Sequence, residues 1–489
     1  MAANRSVCSI LITVTLLFAG CTAIEPPRAE DYTQWFASLD ETVDRAGTRD
    51  ASSNRIPGFP YLRADRFLAS FRGEVRDDPA AFAVWVDRLQ QLDATARRYE
   101  LRNLPPRFLT SLAVPDSRAA IAKTKACAAE LSLTDLAATS QKEALIAQAE
   151  VTDDYVERNR ILGLYPLATL LFSIGISRWQ NETVATFWRA AAGDAEGGTL
   201  VRYEPGAKPA GAPQIRVIFA RTPADRLGIP EFSTEDRERL FRAFAPIFEI
   251  STSGEYDRFG PLAWRTGPTP EVDVARPRVY RRLAFTRYGK WALVQLVYTI
   301  WFPERPRERS FDLLGGKLDG LIFRVTLDRK GQPLVYDTIH PCGCYHMFFP
   351  TARVKGKPSP QPGIEWAFVP AILPTVGPEY RIVLQIVSGS HYIEGLRFDS
   401  GGRGIVYDFA EDDELRALPT INGTTRSAFG PDGIVPGTER GERLLFWPAG
   451  VADAGAMRQS GRHATAFLGR RHFDDPDLIE RRFLLFASP

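Results

Sequence analysis

The chain has 489 residues, of which 44% are hydrophobic and 25% charged, and these are the proportions of an ordinary folded protein. This length is enough for two or three domains. Lys and Arg number 61 against 59 Asp and Glu, a formal net charge of +2. This balance argues against a nucleic-acid partner, because phosphate binding needs a basic surface.

The beginning of the chain has the pattern of a targeting segment. Arg5 supplies a positive charge, and residues 7–18 form an uncharged apolar run that is too short for a free-standing membrane span. The run ends in Leu17-Phe18-Ala19-Gly20-Cys21, where small residues precede a cysteine. This ending resembles the lipobox of bacterial lipoproteins, whose usual form is Leu, a small residue, Gly or Ala, and then Cys. Phe18 stands where Leu is usual.

The resemblance implies that a diacylglyceryl group is attached to the Cys21 thiol and that the chain is cleaved after Gly20. The mature protein would then be an acylated, palmitate-bearing lipoprotein that is anchored to a membrane and faces the periplasm. Thr22 follows Cys21, and the lack of an Asp there favours the outer membrane in this family. The alternative is an ordinary cleaved signal peptide in which the cysteine has no role. Residues 1–20 are therefore predicted to be a lipoprotein signal peptide, and residues 21–30 a tether.

Residues 31–190 are predicted to form a helical domain. The apolar residues between 82 and 92 fall on one helix face. Asp78-Pro79 before them is typical of a helix cap followed by proline in the first turn. Residues 191–212 are rich in Gly, Ala and Pro and are predicted to be a linker.

One segment of the helical region carries no charge. Residues 161–177 are at the lower limit of the length that spans a bilayer, and Pro166 and Gly175 weaken a spanning helix. We predict that this segment is a buried core helix. A shallow contact with a membrane, helped by the lipid anchor, is the main alternative.

Residues 213–489 are predicted to form a β-rich domain. The apolar runs and their turn residues predict three hairpins, with turns at Gly289-Lys290, at 328–332 and at 388–391. Strands are predicted at residues 215–220, 282–288, 291–302, 321–327, 333–339, 381–387, 392–398, 404–409, 443–446 and 464–468, and a helix at 233–244. The predicted fold class is α+β: a helical domain followed by a mainly antiparallel sandwich or barrel-like sheet.

The densest chemistry of the chain is the run from His340 to Met347, HPCGCYHM. Thiolate and imidazole are ligands of Zn(II) and Cu(I), so His340, Cys342, Cys344 and His346 are predicted to be a soft-metal site. Residues two apart on a strand are separated by roughly 6.6 Å. The chain would therefore have to bend at Pro341 and Gly343 to bring the ligands together.

The same run allows two thiol chemistries. After the removal of Cys8 and the acylation of Cys21, three cysteines are left, at positions 127, 342 and 344, so at most one disulfide can form within the chain. A bond between Cys342 and Cys344 would close a small, strained ring suited to redox exchange. Cys344 could instead be a nucleophile that His391 activates, as in a Cys–His hydrolase.

The last interpretation is that both cysteines are small buried residues of a non-catalytic protein. The prediction is therefore an envelope lipoprotein, anchored to the membrane at Cys21, with a Zn or Cu site in its β-rich domain. A binding or scaffold lipoprotein and a thiol redox protein or hydrolase are the alternatives. The sequence leaves open whether the protein is an enzyme.

Overall fold

The computed structural model describes residues 29–191, 199–206, 211–309, 312–377 and 379–486, so Cys21 and the predicted signal peptide lie outside the described residues. The helices are α1 (Ala29–Ala46), α2 (Arg66–Ala69), α3 (Pro79–Arg102), α4 (Pro106–Ser111), α5 (Ser117–Asp135), α6 (Thr139–Gln148), α7 (Glu157–Leu162), α8 (Tyr165–Ala191), α9 (Ala212–Arg221), α10 (Thr234–Phe244), α11 (Arg443–Phe446) and α12 (Leu478–Arg482). The strands are β1 (Asn54–Ile56), β2 (Phe59–Ala64), β3 (Thr199–Pro205), β4 (Ile247–Thr252), β5 (Leu262–Ala263), β6 (Glu271–Val272), β7 (Arg278–Tyr288), β8 (Trp291–Arg305), β9 (Gly316–Leu327), β10 (Pro333–Ile339), β11 (Met347–Pro350), β12 (Val354–Gly356), β13 (Arg381–Ile386), β14 (Ile393–Asp399), β15 (Ile405–Glu411), β16 (Leu418–Pro419), β17 (Thr425–Arg426) and β18 (Phe483–Leu485).

The first part of the chain is helical, as predicted. Helix α5 packs on α1 and on α3, and all three helices contact the short strand β2. Phe36, Trp85 and Leu131 are buried in the core that they share. The predicted cap of α3 is confirmed, because the Asp78 carboxylate accepts hydrogen bonds of 3.0 Å from the backbone N–H groups of Ala80 and Ala81.

The later part is built on one curled sheet of ten strands that forms a half-barrel. The strand order is β11-β10-β9-β8-β7-β15-β3-β4-β13-β14. Its pairs are antiparallel except β13 with β4 and β15 with β3 and β7. The predicted α+β class is therefore confirmed.

The predicted hairpins are confirmed. Strands β7 and β8 pair down to Tyr288 and Trp291, and Gly289 turns the chain with a φ of +55°. Strand β8 has neighbours on both sides and is buried along most of its length, as its apolar sequence predicts. The pairs β9–β10 and β13–β14 follow the same pattern.

Three predicted strands are wrong. Residues 215–220 belong to helix α9, in which Ile215 and Ile218 are buried on one face. Residues 443–446 form helix α11, and residues 464–468 make only the single bridge from Ala464 to His472. A short apolar run has too few positions to distinguish the helical from the extended period. In addition, Thr199–Pro205 of the predicted linker is a strand of the main sheet.

Helix α8 departs most from the prediction, because residues 161–177 are not a buried core helix. One face of α8 is covered, and Phe172 and Phe187 on it are each 8% exposed. Phe187 stacks on Phe349 of the sheet, whereas Phe172 packs on Phe446 and Phe467. The opposite face carries Leu167, Leu170 and Ile174, which are 64%, 65% and 67% exposed. The sheet and the segments around residues 446–449 and 467–468 cover α8 from one side only, and this explains why an apolar segment keeps an uncovered face. Within the described residues, no helix combines the length and hydropathy needed to cross a membrane.

Candidate functional site

The His-Cys run forms a tight turn between β10 and β11. The backbone N–H of His340 donates to the carbonyl of Cys344 at 3.0 Å, and that of Gly343 donates to the carbonyl of His340 at 2.8 Å. Gly343 has a φ of +90°, and a Cβ there would lie 2.3 Å from the carbonyl oxygen of Ala464. The chain therefore bends where the sequence analysis required it, and glycine is needed at the bend.

The first imidazole of the turn belongs to a buried polar cluster. His340 Nδ1 lies 3.2 Å from Asp319 Oδ1 on β9. The other oxygen of Asp319 lies 2.9 Å from His391 Nδ1, so one carboxylate holds both rings. Burial opposes the charge on Asp319, but His340, Arg440 and His391 outweigh that effect and hold its pKa well below the usual range.

His391 is fixed from every side. Its Nε2 lies 3.1 Å from the carbonyl of Tyr256 and 3.4 Å from Asp257, and its ring stacks on Phe302 with centroids 3.9 Å apart. Burial alone would lower the pKa of His391, but the hydrogen bonds to Asp257 and Asp319 raise it above the ordinary value. Both ring nitrogens therefore already have hydrogen-bond partners, and the raised pKa favours the protonated ring. This arrangement does not favour the predicted role of His391 as the base for Cys344.

The second imidazole of the turn points to a different partner. His346 Nε2 lies 2.9 Å from Asp337, which also forms a two-point ion pair with Arg324. Burial is the largest effect on His346 and lowers its pKa to about 3, so the ring is neutral. Its Nδ1 is buried and has no hydrogen-bond partner among the described residues.

The two thiols of the turn are in contact and are both free. The backbone N–H of Cys344 lies 3.4 Å from Cys342 Sγ. The hydrogen bond with Cys342, together with burial, raises the pKa of the Cys344 thiol well above its usual value. A protonated thiol is a weak nucleophile, so this environment does not activate Cys344. Cys127 is buried in the core of the helical region, far from this turn in the sequence.

The predicted soft-metal ligands do not converge. Asp319 holds His340 and Asp337 holds His346, so the two imidazoles bond to separate carboxylates. In the part of the chain that the structure describes, no group of three or more His, Cys, Asp or Glu side chains is placed to hold a metal ion. The Zn or Cu site stays a prediction, and this arrangement gives it no support.

The turn does border a large cavity. The space has a volume of about 520 Å³ and lies between α8, α11, the His-Cys turn and the loop around residue 466. The apolar lining residues are Leu171, Phe172, Gly175, Ile176, Trp179, Leu314, Trp366, Phe368, Leu445, Phe446, Val451, Ala454, Gly455, Ala464, Ala466 and Phe467. The remaining lining residues are Gln180, Cys342, Gly343, Cys344, Tyr345, His346, Glu365, Tyr392, Glu442, Thr465 and Arg471.

Glu442 places a carboxyl group at this largely apolar cavity. It is 5% exposed. Burial raises its pKa to about 7, although Arg440 and Arg305 act in the opposite direction. Near neutral pH Glu442 is therefore divided between a hydrogen-bond donor and an anionic acceptor. The sequence analysis missed Glu442, because residues 443–446 beside it were predicted as a strand.

A second glutamate, Glu365, also lines the cavity. Glu365 accepts hydrogen bonds from the backbone N–H groups of Phe467 (2.5 Å) and Leu468 (3.0 Å). Burial raises its pKa, although Arg471 opposes this effect from 3.7 Å. Glu365 therefore stabilises the loop around residue 466 through these hydrogen bonds. Glu442 is the better-placed carboxyl group for binding a ligand.

The chain matches no protein-family model, and comparisons with the curated proteins and with the solved structures found no similar protein. The arguments about function therefore come from the cavity and from the beginning of the sequence.

Proposed function

We propose that this protein is a binding lipoprotein of the cell envelope, and that its cavity holds a mainly apolar small molecule. The observation that carries the proposal is the cavity beside the His-Cys turn, with its volume of about 520 Å³ and a wall built largely from aromatic and aliphatic side chains. Small-molecule sites typically measure roughly 300–1,000 Å³ and are lined in this way.

The polar groups of the cavity favour a ligand with one polar end. Glu442 is buried and can exchange a proton near pH 7, so it suits a hydroxyl, amide or carboxylic acid group. The thiol of Cys344 is protonated and adds soft, nearly apolar surface. We therefore expect the affinity for a ligand to depend mainly on its shape and apolar area, while a single polar contact orients it.

The proposed location in the cell envelope is based on the sequence. The resemblance of residues 17–21 to a lipobox supports acylation of Cys21 and an outer-membrane, periplasm-facing location. Apolar molecules in that compartment are membrane lipids and their fragments, and a cavity of this kind suits their chains.

Gly175 offers a direct test of binding. It lines the cavity on the same face of α8 as Leu171 and Trp179, and a Cβ placed there meets no atom within 4 Å. Gly175→Trp should therefore fill the cavity without disturbing the helix. Gly175→Ala is the matched control, which should stabilise α8 by about 0.5–1 kcal/mol and leave the cavity open.

The measurement is fluorescence titration with cis-parinaric acid, a polyene fatty acid. We expect saturable binding to the wild type and to Gly175→Ala, and affinity roughly tenfold or more weaker for Gly175→Trp. Excluding two methylene groups from the cavity already costs about 1.6 kcal/mol. Equal affinity for Gly175→Trp and the wild type, with both folded by circular dichroism, would refute the proposed site.

The same preparation addresses the metal and thiol alternatives. Elemental analysis of the purified protein would reveal one zinc or copper per chain if His340, Cys342, Cys344 and His346 bind a metal, and Cys342→Ser would remove it. Mass spectrometry would reveal the loss of two hydrogens if Cys342 and Cys344 form a disulfide. A fast-reacting thiol that His391→Asn slows would instead indicate a hydrolase.

A further inference from the structure

The exposed side of α8 is a continuous apolar surface. Leu167, Leu170, Leu171 and Ile174 repeat at the helical spacing, and each is between 64% and 73% exposed. Leu164, just before the helix, extends the surface and is 62% exposed. Soluble monomers rarely expose contiguous apolar patches larger than a few hundred Å², and a larger patch marks an interaction site.

The pattern of charge around this surface fits a lipid bilayer. Residues 161–177 contain no charged side chain, whereas the exposed Arg158 and Arg178 lie just outside the two ends. An amphipathic helix that rests on a membrane has this division, with arginines at the headgroup level and leucines below it. The other face of α8 packs on β14 and on the segments around residues 446–449 and 467–468, so the helix can rest on a bilayer but not enter it lengthwise.

The surface is also continuous with the mouth of the cavity. Leu171 of α8 and Leu445 of α11 line the cavity, and they are 73% and 55% exposed on the outside. Phe172 and Phe446, next to them in the sequence, pack with ring centroids 5.4 Å apart at the same helix junction. A molecule that leaves the lipid at this junction would reach the cavity along apolar side chains.

We propose that this face of α8 docks on the envelope membrane and that the cavity takes its ligand, a lipid, directly from the bilayer. The first half of this proposal, docking on the membrane, is inferred from the exposed face alone. The second half, delivery of a lipid to the cavity, rests on the proposed binding function. Position 21 is eight residue steps before α1, a reach of at most about 29 Å, so an acyl anchor there would keep the protein close to the bilayer.

Photocrosslinking tests the docking half. The photoreactive residue p-benzoylphenylalanine is placed at position 174 of the full-length chain in bacterial cells. The matched control is position 421, where Ile421 is 64% exposed in a short turn, against 67% for Ile174. We expect lipid adducts to be roughly tenfold more abundant at 174 than at 421, the preference expected for one large aliphatic side chain moved into hydrocarbon. Equal lipid adducts at the two positions, or a main adduct with a second copy of the chain, would overturn the docking surface.

Transfer kinetics test the delivery half. Vesicles of phosphatidylethanolamine and phosphatidylglycerol that carry cis-parinaric acid are mixed with the purified protein. We expect Ile174→Asp to slow transfer by roughly tenfold while the affinity measured without vesicles stays unchanged, and Ile421→Asp to have no effect. An unchanged transfer rate for Ile174→Asp would overturn delivery from the bilayer. A failure of the proposed function is distinguishable, because it would abolish saturable probe binding and leave the lipid crosslinks at 174.

Discussion

At the scale of single residues, His391 has a side chain of a chemically reactive type, but its contacts give it a structural role. It takes a left-handed backbone conformation with a φ of +55°, and its ring bridges two buried carboxylates, Asp257 and Asp319. Such strain persists only where the surroundings determine the conformation. The ring, when protonated, offsets part of the charge of these two carboxylates, a role that Arg440 shares from 3.6 Å at Asp319.

His391→Asn should therefore destabilise the fold by about 3–5 kcal/mol, although asparagine accepts this backbone conformation. The pKa of His391 is raised in the folded state, so its contribution is full below the unfolded pKa and is lost as the pH rises through the folded pKa. Urea unfolding at pH 6 and pH 9 should thus show a larger loss at pH 6. A variant as stable as the wild type at both pH values would contradict this structural role.

Glu442 gives a dependence on pH in the same direction, in a window that begins at a lower pH. Its pKa is raised from 4.5 to about 7, so the folded state holds a proton that the unfolded chain releases above pH 4.5. The free energy of unfolding therefore falls as the pH rises from about 4.5 to 7. This single group accounts for up to about 3 kcal/mol of that fall.

Glu442→Gln should remove this part of the pH dependence. The difference in unfolding free energy between the variant and the wild type should move in favour of the variant by about 2–3 kcal/mol between pH 4 and pH 8. Glu439→Gln, at an exposed position three residues earlier, is the control and should show no such trend. A parallel pair of stability curves for Glu442→Gln and the wild type would show that Glu442 is not held neutral by the fold.

At the scale of elements, the predictions succeeded where local rules are strong. The Asp78 cap of α3, the turn at Gly289 and the apolar strand β8 each depend on a few neighbouring residues, and the structure confirms all three. The predictions for residues 443–446 and 215–220 failed because apolar segments of four and six residues fit a helix or a strand equally well.

The error on α8 has a different origin. The sequence shows that residues 161–177 are apolar, but the burial of these side chains depends on what packs against each face of the helix. The folded chain covers α8 on one side only, with β14 and with segments around residues 446–449 and 467–468, which lie more than 200 residues further along the chain. The cavity could not be predicted for the same reason, because α8, α11 and the His-Cys turn meet only after folding.

At the scale of the whole molecule, the proposed anchor and the exposed face of α8 would act together. A single acyl chain or a shallow apolar contact gives only reversible membrane binding, whereas two such signals hold a protein stably. If Cys21 is acylated as we propose, this anchor would determine whether the proposed contact made by α8 is lasting or transient.

Cys21→Ala should abolish acylation. Cells that produce the wild-type chain and grow with an alkyne analogue of palmitate should yield a labelled protein in the membrane fraction. Cys21→Ala should yield none, and its residual membrane binding through α8 should be lost on washing, because a single shallow contact is reversible. Cys8→Ala is the matched control, since Cys8 belongs to the predicted signal peptide and should not affect the label. If Cys21→Ala still incorporates the analogue and stays in the membrane after washing, the resemblance of residues 17–21 to a lipobox is accidental, and the anchor must lie elsewhere in the chain.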